Sequence, residues 1–456
     1  MRVSRALLNE VRVRFAPSPT GQLHIGGLRT AFFNYLFAKK YGGKFILRIE
    51  DTDQTRLVKG AQGQISNILK HYDLEPDEGP VVQSERLNKY RDAAEELIEN
   101  GHAYRCFCSS ERLDLLRKTA ARNGEIPKYD RKCANIDKNE ALKMSENGEK
   151  CVIRLKLDKQ NVSFKDGVFG DINQVIDESD AILLKSDGFP TYHLANVVDD
   201  KDMKISHVIR GMEWLSSTGK HHILYKSFNW TPPKYLHLSL IMRTATKKLS
   251  KRDSDAYVDY YNEKLGVLPL AILNMMIRNG SGIRNFDPNH FYSISEMVEN
   301  FDPELLGRRN LLLDSDILHK YSRMAFQNSS FPEIYRKICE KFGTHDEEKV
   351  RKVVEFLRAK EENFGNLSEL AEDGPFGWML FENNGENVED TEILKKIDSW
   401  KVEKIREVAK SHGIPEKKLL EKCRIALIGR KKGPPVSEIV DFLGEDECYR
   451  RISERL

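Results

Sequence analysis

Apolar residues in the first hundred positions alternate between short buried runs and longer stretches of helical period. Residues 11–15 and 44–49 read as strands, and residues 28–41 between them read as a helix. A strand–helix–strand unit of this length predicts a parallel sheet whose ligand lies at the carboxyl ends of the strands. The alternation returns with a predicted strand at residues 205–209 and a predicted helix at residues 216–228.

Residues 106–196 interrupt this alternation. Short strand-like runs at 152–157, 162–164 and 181–185 mix there with a charged helical stretch at 110–122. We therefore predict an α/β insertion in a Rossmann-type parallel-sheet domain. That domain comprises residues 11–105 and 197–257.

From about residue 258 onward, the strand-like runs disappear and amphipathic helical segments dominate. These segments are residues 268–278, 314–325, 348–360, 402–411, 417–427 and 436–443. We predict an all-helical C-terminal half that divides near residue 325 into residues 258–325 and 326–456.

The composition is that of a folded protein. A chain of 456 residues is too long for one hydrophobic core, so we expect two or three domains. No apolar run approaches the roughly 18 residues that span a bilayer, so we expect no membrane segment. The net charge is only +3, so a nucleic-acid partner would need a local basic surface. Seven cysteines form no disulfide framework in so long a chain, which favours a reducing compartment.

The first nine residues contain two arginines and a serine, and no acidic residue precedes Glu10. This composition is typical of an organellar transit peptide, although the segment is short. We interpret residues 1–10 as a remnant of such a peptide and expect a location in the mitochondrial matrix. The alternatives are a plain disordered tail and a cytoplasmic, bacterial protein.

The loop after the first strand has the composition of a phosphate-binding turn. It reads RFAPSPTGQLHIGG from Arg14 to Gly27 and leads directly into the predicted helix. A glycine-containing turn at a helix N-terminus presents backbone N–H groups to a phosphate. His24 can donate to a phosphate oxygen, and Gly26 and Gly27 let a nucleotide approach the backbone. The alternative is an ordinary proline–glycine turn with a hydrogen-bonded histidine.

A second element lies far downstream, where KKLSKR runs from Lys247 to Arg252 after an apolar run at residues 236–242. Alone, such a segment is more often a solvated run of charges. Together, HIGG at residues 24–27 and KLSKR at residues 248–252 resemble the HIGH and KMSKS signatures of class I aminoacyl-tRNA synthetases in order and separation. The departures from these signatures are Gly27 for histidine, Leu249 for methionine and Arg252 for serine.

Further segments narrow the resemblance. RFAPSPTG from Arg14, RIEDTD from Arg48 and PTYHLANVVDD from Pro190 are similar to segments of the bacterial and organellar glutamyl-tRNA synthetases. The similarity covers the N-terminal two-thirds of the chain, and the helical C-terminal half also fits this family. Glutaminyl-tRNA synthetases instead carry β-barrels that bind the anticodon. The short paralogue that glutamylates queuosine lacks the anticodon-binding half, which this chain keeps.

The resemblance implies a glutamate pocket. Two arginines for two carboxylates and a glutamate for the ammonium suit a dicarboxylic amino acid, although which arginine binds which carboxylate stays open. Glutamine would leave a buried arginine unpaired, so such a site separates the two near-isosteric amino acids. The implied residues are Arg14, Ser18, Glu50, Tyr192, Asn196, Arg210 and Trp214.

The resemblance also implies an ATP site formed by the two signatures, with Mg²⁺ bound as the partner of ATP. The implied ATP-binding residues are His24, Gly26, Gly27, Glu213, Lys248, Leu249, Ser250 and Lys251. His24, Lys248 and Lys251 are the implied catalytic residues, because they would stabilise charge that develops on the phosphates.

The implied activity is that of a glutamate–tRNA ligase. The glutamate α-carboxylate attacks the α-phosphorus of ATP and releases pyrophosphate, and the terminal adenosine hydroxyl of tRNA-Glu then takes the acyl group. One alternative is a non-discriminating enzyme that also charges tRNA-Gln. Alternatives from other classes of protein are a non-catalytic tRNA-binding relative and an adenylating enzyme that does not use tRNA. A monomer is expected.

Three cysteines and a tyrosine form a candidate zinc site in the insertion. Some relatives bind zinc at the matching place through a Cys-x-Cys pair and later ligands, and zinc usually takes four ligands. The corresponding residues here are Cys106, Cys108, Tyr129 and Cys133. Three unmetallated thiols are the alternative.

The resemblance further implies that different parts of the chain bind different parts of the tRNA. The insertion would face the acceptor stem, residues 258–325 would contact the stem region, and residues 326–456 would bind the anticodon. Candidate phosphate contacts are Arg351, Lys352, Arg358, Lys360, Arg430, Lys431 and Lys432. We single out Arg358 and the KKGPP loop that begins with Lys431 and Lys432, although solvated helix charges are the alternative for each.

Overall fold

A computed structural model describes residues 10–244, 246–247, 249, 253–278, 281–360, 364–381, 391–431 and 433–453. The described residues form two compact units. The first unit contains the residues up to 259 together with 273–314, and the second contains residues 260–272 together with those from 315 onward.

The strands are β1 (Arg12–Phe15), β2 (Lys44–Ile49), β3 (Glu78–Val82), β4 (Ala103–Cys106), β5 (Val152–Leu155), β6 (Gln160–Asp166), β7 (Gly170–Ile176), β8 (Ile182–Leu184), β9 (His207–Gly211), β10 (Lys234–Leu238), β11 (Ile241–Met242), β12 (Ser281–Ile283), β13 (Phe301–Leu306) and β14 (Leu311–Leu312).

The α-helices are α1 (Ile25–Lys40), α2 (Ala61–His71), α3 (Leu87–Glu99), α4 (Ser110–Arg122), α5 (Lys138–Glu146), α6 (Tyr192–Asp202), α7 (Leu215–Ser227), α8 (Pro269–Met276), α9 (Ile294–Asn300), α10 (Ser315–Asn328), α11 (Phe331–Phe342), α12 (Glu347–Lys360), α13 (Val402–Ser411), α14 (Glu416–Ile428), α15 (Val436–Leu443) and α16 (Glu445–Ser453).

The first unit is built on parallel strands. β2 pairs with β1 and β3, and β10 pairs with β9 and β6, in each case in parallel. Ser206 N–H donates to the Arg12 carbonyl at 2.9 Å, which places β1 beside the start of β9. The resulting order is β3-β2-β1-β9-β10-β6, with β7 antiparallel at the edge. The predicted Rossmann-type sheet is therefore confirmed, and the carboxyl ends of its parallel strands meet at one edge.

Helix α1 packs on this sheet along most of its length. Leu28, Phe32, Phe33 and Leu36 are all fully buried. Asn34 is buried as well, and its Nδ2 donates to the Ile209 carbonyl at 3.0 Å, so the amide nitrogen and the carbonyl oxygen each have a partner. This docking places the N-terminus of α1 at the edge where the parallel strands end.

The insertion only partly forms a separate structure. β4, β5 and β8 make an antiparallel sheet of their own, whereas β6 and β7 extend the central sheet. The predicted insertion of residues 106–196 therefore also supplies edge strands to the sheet domain, since β6 pairs with β10.

The prediction that strands disappear after residue 258 is wrong for part of that stretch. β12 pairs with β13 in antiparallel fashion, and β14 pairs with β11 in parallel. β12 and β14 have only three and two residues, too few to show a period. β13 is longer, but it contains Pro303, and β12 contains Gly282, and both residue types are depleted in strands. The predicted connecting stretch 258–325 is accordingly divided between the two units, and its last residues from 315 belong to the second.

The second unit is predominantly helical, as predicted. In α12, Val350, Val353, Val354 and Leu357 are buried at the spacing of one helix face. Among the described residues, no helix is both long enough and apolar enough to cross a membrane.

Candidate active site

The signature loop between β1 and α1 is organised by His24, which is the N-cap residue of α1. Its Nδ1 accepts a hydrogen bond from the Gly26 N–H at 3.0 Å. When the ring is neutral, the proton therefore lies on Nε2. A Cβ on Gly27 would lie 2.7 Å from Leu23 Cδ1, so a larger residue at this position would require the Leu23 side chain to move. The helix N-terminus thus combines backbone N–H groups with an imidazole N–H donor.

A cavity of about 780 Å³ lies at the carboxyl edge of the sheet. The strand ends supply its polar residues, since Glu50 directly follows β2 and Arg210 lies in β9. All seven predicted glutamate-binding residues line it, namely Arg14, Ser18, Glu50, Tyr192, Asn196, Arg210 and Trp214. The structure therefore brings together residues that are as far apart in the sequence as positions 14 and 214.

One wall of the cavity is a buried ionic network. Asp200 Oδ1 accepts from Arg14 Nε at 3.0 Å and from Arg48 Nη1 at 2.6 Å. Glu50 Oε1 accepts from Arg48 Nη2 at 3.0 Å and from Asn196 Nδ2 at 3.2 Å. Two arginines and two carboxylates thus compensate one another behind the cavity, because isolated buried charges would be costly. Burial raises the pKa of Glu50, although Arg48 and Arg14 oppose that shift.

Another part of the cavity wall is built around Arg210. Its Nη1 donates to the Tyr192 hydroxyl at 2.9 Å, and its Nη2 donates to Thr218 Oγ1 at 2.8 Å. The Tyr192 ring packs against Trp214 with centroids 4.2 Å apart. Burial raises the pKa of Tyr192, which keeps the phenol neutral as a partner for the guanidinium. Arg210 is therefore fixed in one orientation.

A second cavity, of about 330 Å³, adjoins the first. Five residues line both cavities: Gly26, Gly27, Thr30, Gly211 and Glu213. His24 and Leu249 line the second cavity but not the first, so the described members of the predicted ATP set come together here. Lys248, Ser250 and Lys251 of that set, like Arg252 next to them, lie outside the described residues.

Sequence reasoning missed the residues that support these cavities. Arg48 and Asp200 touch Glu50 and Arg14 but were not predicted as site residues. The sequence did carry a signal for both residues. Arg48 begins the RIEDTD segment and Asp200 ends the PTYHLANVVDD segment, and both segments resemble those of the glutamyl-tRNA synthetases. Buried Arg29, which lines the second cavity and donates to the Ser239 carbonyl at 2.5 Å, was also missed.

Comparisons with known families agree with this geometry. A family model described as "tRNA synthetases class I (E and Q), catalytic domain" matches residues 10–320. A second, described as "Anticodon binding domain", matches residues 389–456. The chain belongs to the class I tRNA synthetases of the E and Q family.

Individual relatives of this class I synthetase match over nearly their whole lengths. A glutamate–tRNA ligase of Finegoldia magna is 37% identical over an alignment of 490 positions that covers 98% of this chain and 100% of that protein. A glutamate–tRNA ligase of Clostridium tetani is 38% identical and covers 97% of each chain. The crystal structure of a glutamate tRNA ligase from Elizabethkingia meningosepticum in complex with its amino acid superposes with a TM-score of 0.79 at 30% identity. That superposition covers 98% of this chain and 99% of the other.

The three predicted metal-binding cysteines of this class I synthetase lie together in the insertion. Their ligand atoms are all within 4.8 Å of one another. The Tyr129 hydroxyl lies 3.2 Å from Cys106 Sγ and 3.3 Å from Cys108 Sγ, and the Sγ atoms of Cys108 and Cys133 are 3.6 Å apart. Three sulfurs and one oxygen in this arrangement suit a tetrahedral zinc ion.

The candidate phosphate contacts of this synthetase differ in their surroundings. Arg358 is half-buried and donates to the carbonyls of Phe326, at 2.9 Å and 3.2 Å, and of Ser329, at 2.5 Å. These bonds satisfy carbonyls at the end of α10, so Arg358 has a structural role whether or not tRNA contacts it. Lys431 is exposed between α14 and α15, and Lys432 lies outside the described residues.

The other candidates of the synthetase lie on the surface of the second unit. Arg351 donates to Glu347 Oε1 at 2.8 Å and stacks on the Phe331 ring at 3.9 Å. Lys352 lies 5.1 Å from the Phe442 ring centre, and Arg430 donates to the Glu372 carbonyl at 3.2 Å. Lys360 is exposed at the end of α12. Their role in tRNA binding stays a prediction.

Proposed function

We propose that this chain is a glutamate–tRNA ligase. The observation that carries the proposal is one cavity in which Arg14 and Arg210, both buried, stand with Glu50 beside a helix N-terminus capped by His24. Two guanidinium groups suit the two carboxylates of glutamate, and the Glu50 carboxylate suits its ammonium. The names of the relatives at 35–38% identity support the same activity.

The proposed first step joins glutamate to AMP. An α-carboxylate oxygen of glutamate attacks the α-phosphorus of ATP, the bond to the bridging oxygen breaks, and pyrophosphate leaves. His24, through its Nε2 proton, and Lys251 and Lys248 of the second signature would stabilise the charge that develops on the phosphate oxygens. The contribution of the protein is therefore mainly positioning and electrostatics.

The proposed second step transfers the acyl group. A hydroxyl of the terminal adenosine of tRNA-Glu attacks the glutamyl carbonyl, its proton is released, and AMP leaves. Mg²⁺ accompanies ATP and neutralises phosphate charge when it is bound. Arg14, Arg210 and the residues around them hold the amino acid through both steps.

Selection of glutamate over glutamine follows from the buried arginines. Glutamine presents a neutral amide where glutamate presents a carboxylate, which would leave a buried guanidinium without the charged acceptor that glutamate supplies. This argument concerns the amino acid and not the tRNA. The second candidate function is therefore a non-discriminating ligase that also glutamylates tRNA-Gln.

The decisive experiment measures the transfer of labelled glutamate to tRNA-Glu and tRNA-Gln transcripts in the presence of ATP and Mg²⁺, with labelled glutamine as the control. Charging of tRNA-Glu alone is the expected result. Charging of both tRNAs would establish the non-discriminating enzyme. Absence of charging on cognate tRNA, transcript or native, would refute the proposed function. The same preparation tests the expected monomer by sedimentation.

We propose zinc binding by Cys106, Cys108, Tyr129 and Cys133. The fit of the donor set supports it, as do the cations around it, since Arg112 donates to Cys108 Sγ at 3.4 Å and Arg154 lies 4.4 Å from the Tyr129 ring centre. Positive neighbours stabilise the thiolates that zinc requires. Bound zinc would hold β4 and the loop at Cys133 together.

Metal analysis of the purified protein tests the zinc site. We expect about one zinc per chain and its loss in Cys133→Ser. Cys151→Ser is the matched control, because Cys151 belongs to the same insertion but not to the cluster. Wild-type protein without zinc after purification under metal-replete conditions would refute the site.

We also propose the mitochondrial matrix as the location, supported only by the composition of residues 1–10. Import of a reporter fused behind these residues is the test. A reporter that stays in the cytosol would refute this proposal.

A further inference from the structure

Arg210 is held from behind by a buried histidine and a buried carboxylate. Its Nε donates to His237 Nε2 at 3.1 Å, and His237 Nδ1 lies 2.6 Å from Asp166 Oδ2. Arg210 is 4% exposed, His237 0% and Asp166 1%. The three residues come from the neighbouring strands β9, β10 and β6, so the central sheet itself aligns them.

These contacts define the protonation state of His237. A guanidinium nitrogen can only donate, so Nε2 of His237 must be the acceptor and its ring proton must lie on Nδ1. Nδ1 then donates to Asp166. Burial lowers the pKa of His237, which keeps the ring neutral. Hydrogen bonds from His237 and from the backbone lower the pKa of Asp166 against the effect of burial, which keeps it a carboxylate.

We propose that Asp166 and His237 are positioning residues for glutamate recognition: Asp166 holds His237 in the Nδ1–H tautomer, and that tautomer orients Arg210 toward a carboxylate of glutamate. This inference rests on the proposed function. With Nε engaged by His237, the plane of the guanidinium is fixed, and Tyr192 and Thr218 align Nη1 and Nη2. The β6 strand, which belongs to the insertion, thereby contributes to the amino-acid site.

The substitution Asp166→Asn tests the tautomer directly. Asp166 Oδ1 accepts from the N–H groups of Val168 at 2.9 Å and Phe169 at 2.8 Å. An asparagine must keep its oxygen at this place, because its NH₂ group cannot accept. The NH₂ group then faces His237 Nδ1 and forces the ring proton onto Nε2, where it opposes the N–H of Arg210. The loss of one bond to a charged group predicts a rise in the glutamate KM of about 10- to 100-fold.

Two substitutions of His237 separate positioning from packing. Glutamine can present its carbonyl oxygen where Nε2 accepts from Arg210, whereas asparagine reaches only the position of Nδ1. We expect His237→Gln to retain the glutamate KM within about threefold and His237→Asn to raise it about tenfold or more. His207→Asn is the matched control, because His207 lies at the other end of β9 and packs against the Phe37 ring, with ring centroids 4.8 Å apart. That control should change neither the glutamate KM nor the ATP KM.

The readouts are the glutamate and ATP KM values in tRNA-dependent aminoacylation, the midpoint of thermal unfolding, and nitrogen NMR shifts of labelled histidine. The expected result is a rise in the glutamate KM alone, together with transfer of the His237 proton to Nε2 in Asp166→Asn. An unchanged glutamate KM in both Asp166→Asn and His237→Asn would overturn the proposal, and so would equal rises in both KM values. If the wild type charges no tRNA, the proposed function fails. The glutamate part of the positioning proposal then falls with it, and the tautomer in Asp166→Asn tests only whether Asp166 sets the protonation of His237.

Discussion

Arg14 and Asp200 form a buried ion pair at the back of the glutamate cavity, with Nε and Oδ1 3.0 Å apart. A buried pair adds little net stability, because desolvation offsets the attraction, but removal of one partner leaves the other unpaired. Here Asp200 also accepts from Arg48 at 2.6 Å. Asp200 would therefore keep a counter-charge if Arg14 were removed, which separates the stability of the protein from recognition of its substrate.

Arg14→Ala is accordingly expected to raise the glutamate KM by more than about 100-fold, through the loss of charged hydrogen bonds. The ATP KM should change little, because Arg14 does not line the second cavity. Arg12→Ala is the matched control, since Arg12 lies on the same strand but pairs with Glu78 away from the cavity. Steady-state aminoacylation kinetics check both variants. Unchanged glutamate kinetics in Arg14→Ala would contradict the assignment of the pocket.

Glu50→Gln should weaken glutamate binding without weakening the fold. Burial raises the pKa of Glu50, so its neutral form is favoured more in the folded than in the unfolded protein. A charged Glu50 lowers the stability of the folded protein. This loss is absent below the ordinary pKa of a glutamate side chain, and it grows as the pH rises from there through the raised pKa of the folded protein. At pH 7 we therefore expect the thermal midpoint of Glu50→Gln to equal or exceed that of the wild type. A clear fall would show that the carboxylate stabilises the fold.

The same shift predicts how glutamate binding depends on pH. The substrate ammonium needs an ionised Glu50, so the glutamate KM of the wild type should rise as the pH falls and Glu50 becomes protonated. Because the pKa of Glu50 is raised, this rise should begin at a higher pH than it would with an ordinary glutamate side chain. Glu50→Gln has no such carboxylate, and its KM, although higher, should be flat over that interval. Kinetics between about pH 5 and 8, the range in which most proteins stay folded, test this expectation. Parallel profiles for the two proteins would assign the titration to another group.

His24→Asn separates two roles of one side chain. An asparagine oxygen can accept from the Gly26 N–H as His24 Nδ1 does, because asparagine is a favoured N-cap residue. It offers no donor at the position of Nε2. We expect a thermal midpoint close to that of the wild type and a fall of about 100-fold in adenylate formation. His24→Ala should lose the cap as well, at about 1 kcal/mol of stability. Pyrophosphate exchange in the presence of tRNA gives the rate.

The positions of the cavity residues were predictable because they follow buried strands. Arg14, Glu50 and Arg210 lie in or directly after β1, β2 and β9, and the carboxyl ends of parallel strands necessarily meet at one edge. The family signatures then assigned roles that strand periodicity alone does not supply. The sheet geometry thus accounts for three of the seven residues that the resemblance implies, and the other four rest on the resemblance alone.

The residues behind the cavity were not predictable in the same way. His237 and Asp166 lie in β10 and β6, and their contact depends on which strands pair and in what register. Local sequence carries little information on such pairing, because an apolar strand fits several neighbours. The cap formed by Arg358 was missed for a related reason, since a basic residue on an amphipathic helix shows the same pattern whether it binds phosphate or a helix end.

Lys431 and Arg358 should respond oppositely to substitution by alanine. Lys431 is exposed, so Lys431→Ala should leave the thermal midpoint unchanged and raise the KM for tRNA a few-fold. The slope of a log–log plot of tRNA affinity against salt concentration should become shallower by about one unit. Arg358→Ala removes three bonds to carbonyls at the end of α10 and should lower the stability by about 1–3 kcal/mol. Its salt dependence should equal that of the wild type.

Aminoacylation at several salt concentrations and thermal unfolding of the same variants check this pair. Lys410→Ala serves as a control for charge alone, because Lys410 is an exposed residue of α13 that is not among the candidate phosphate contacts. A reduced salt dependence in Arg358→Ala at unchanged stability would mean that its guanidinium leaves the helix end to bind phosphate. An unaltered salt dependence in Lys431→Ala would remove this loop from the tRNA contact surface, because a lysine that neutralises a phosphate must release a counterion.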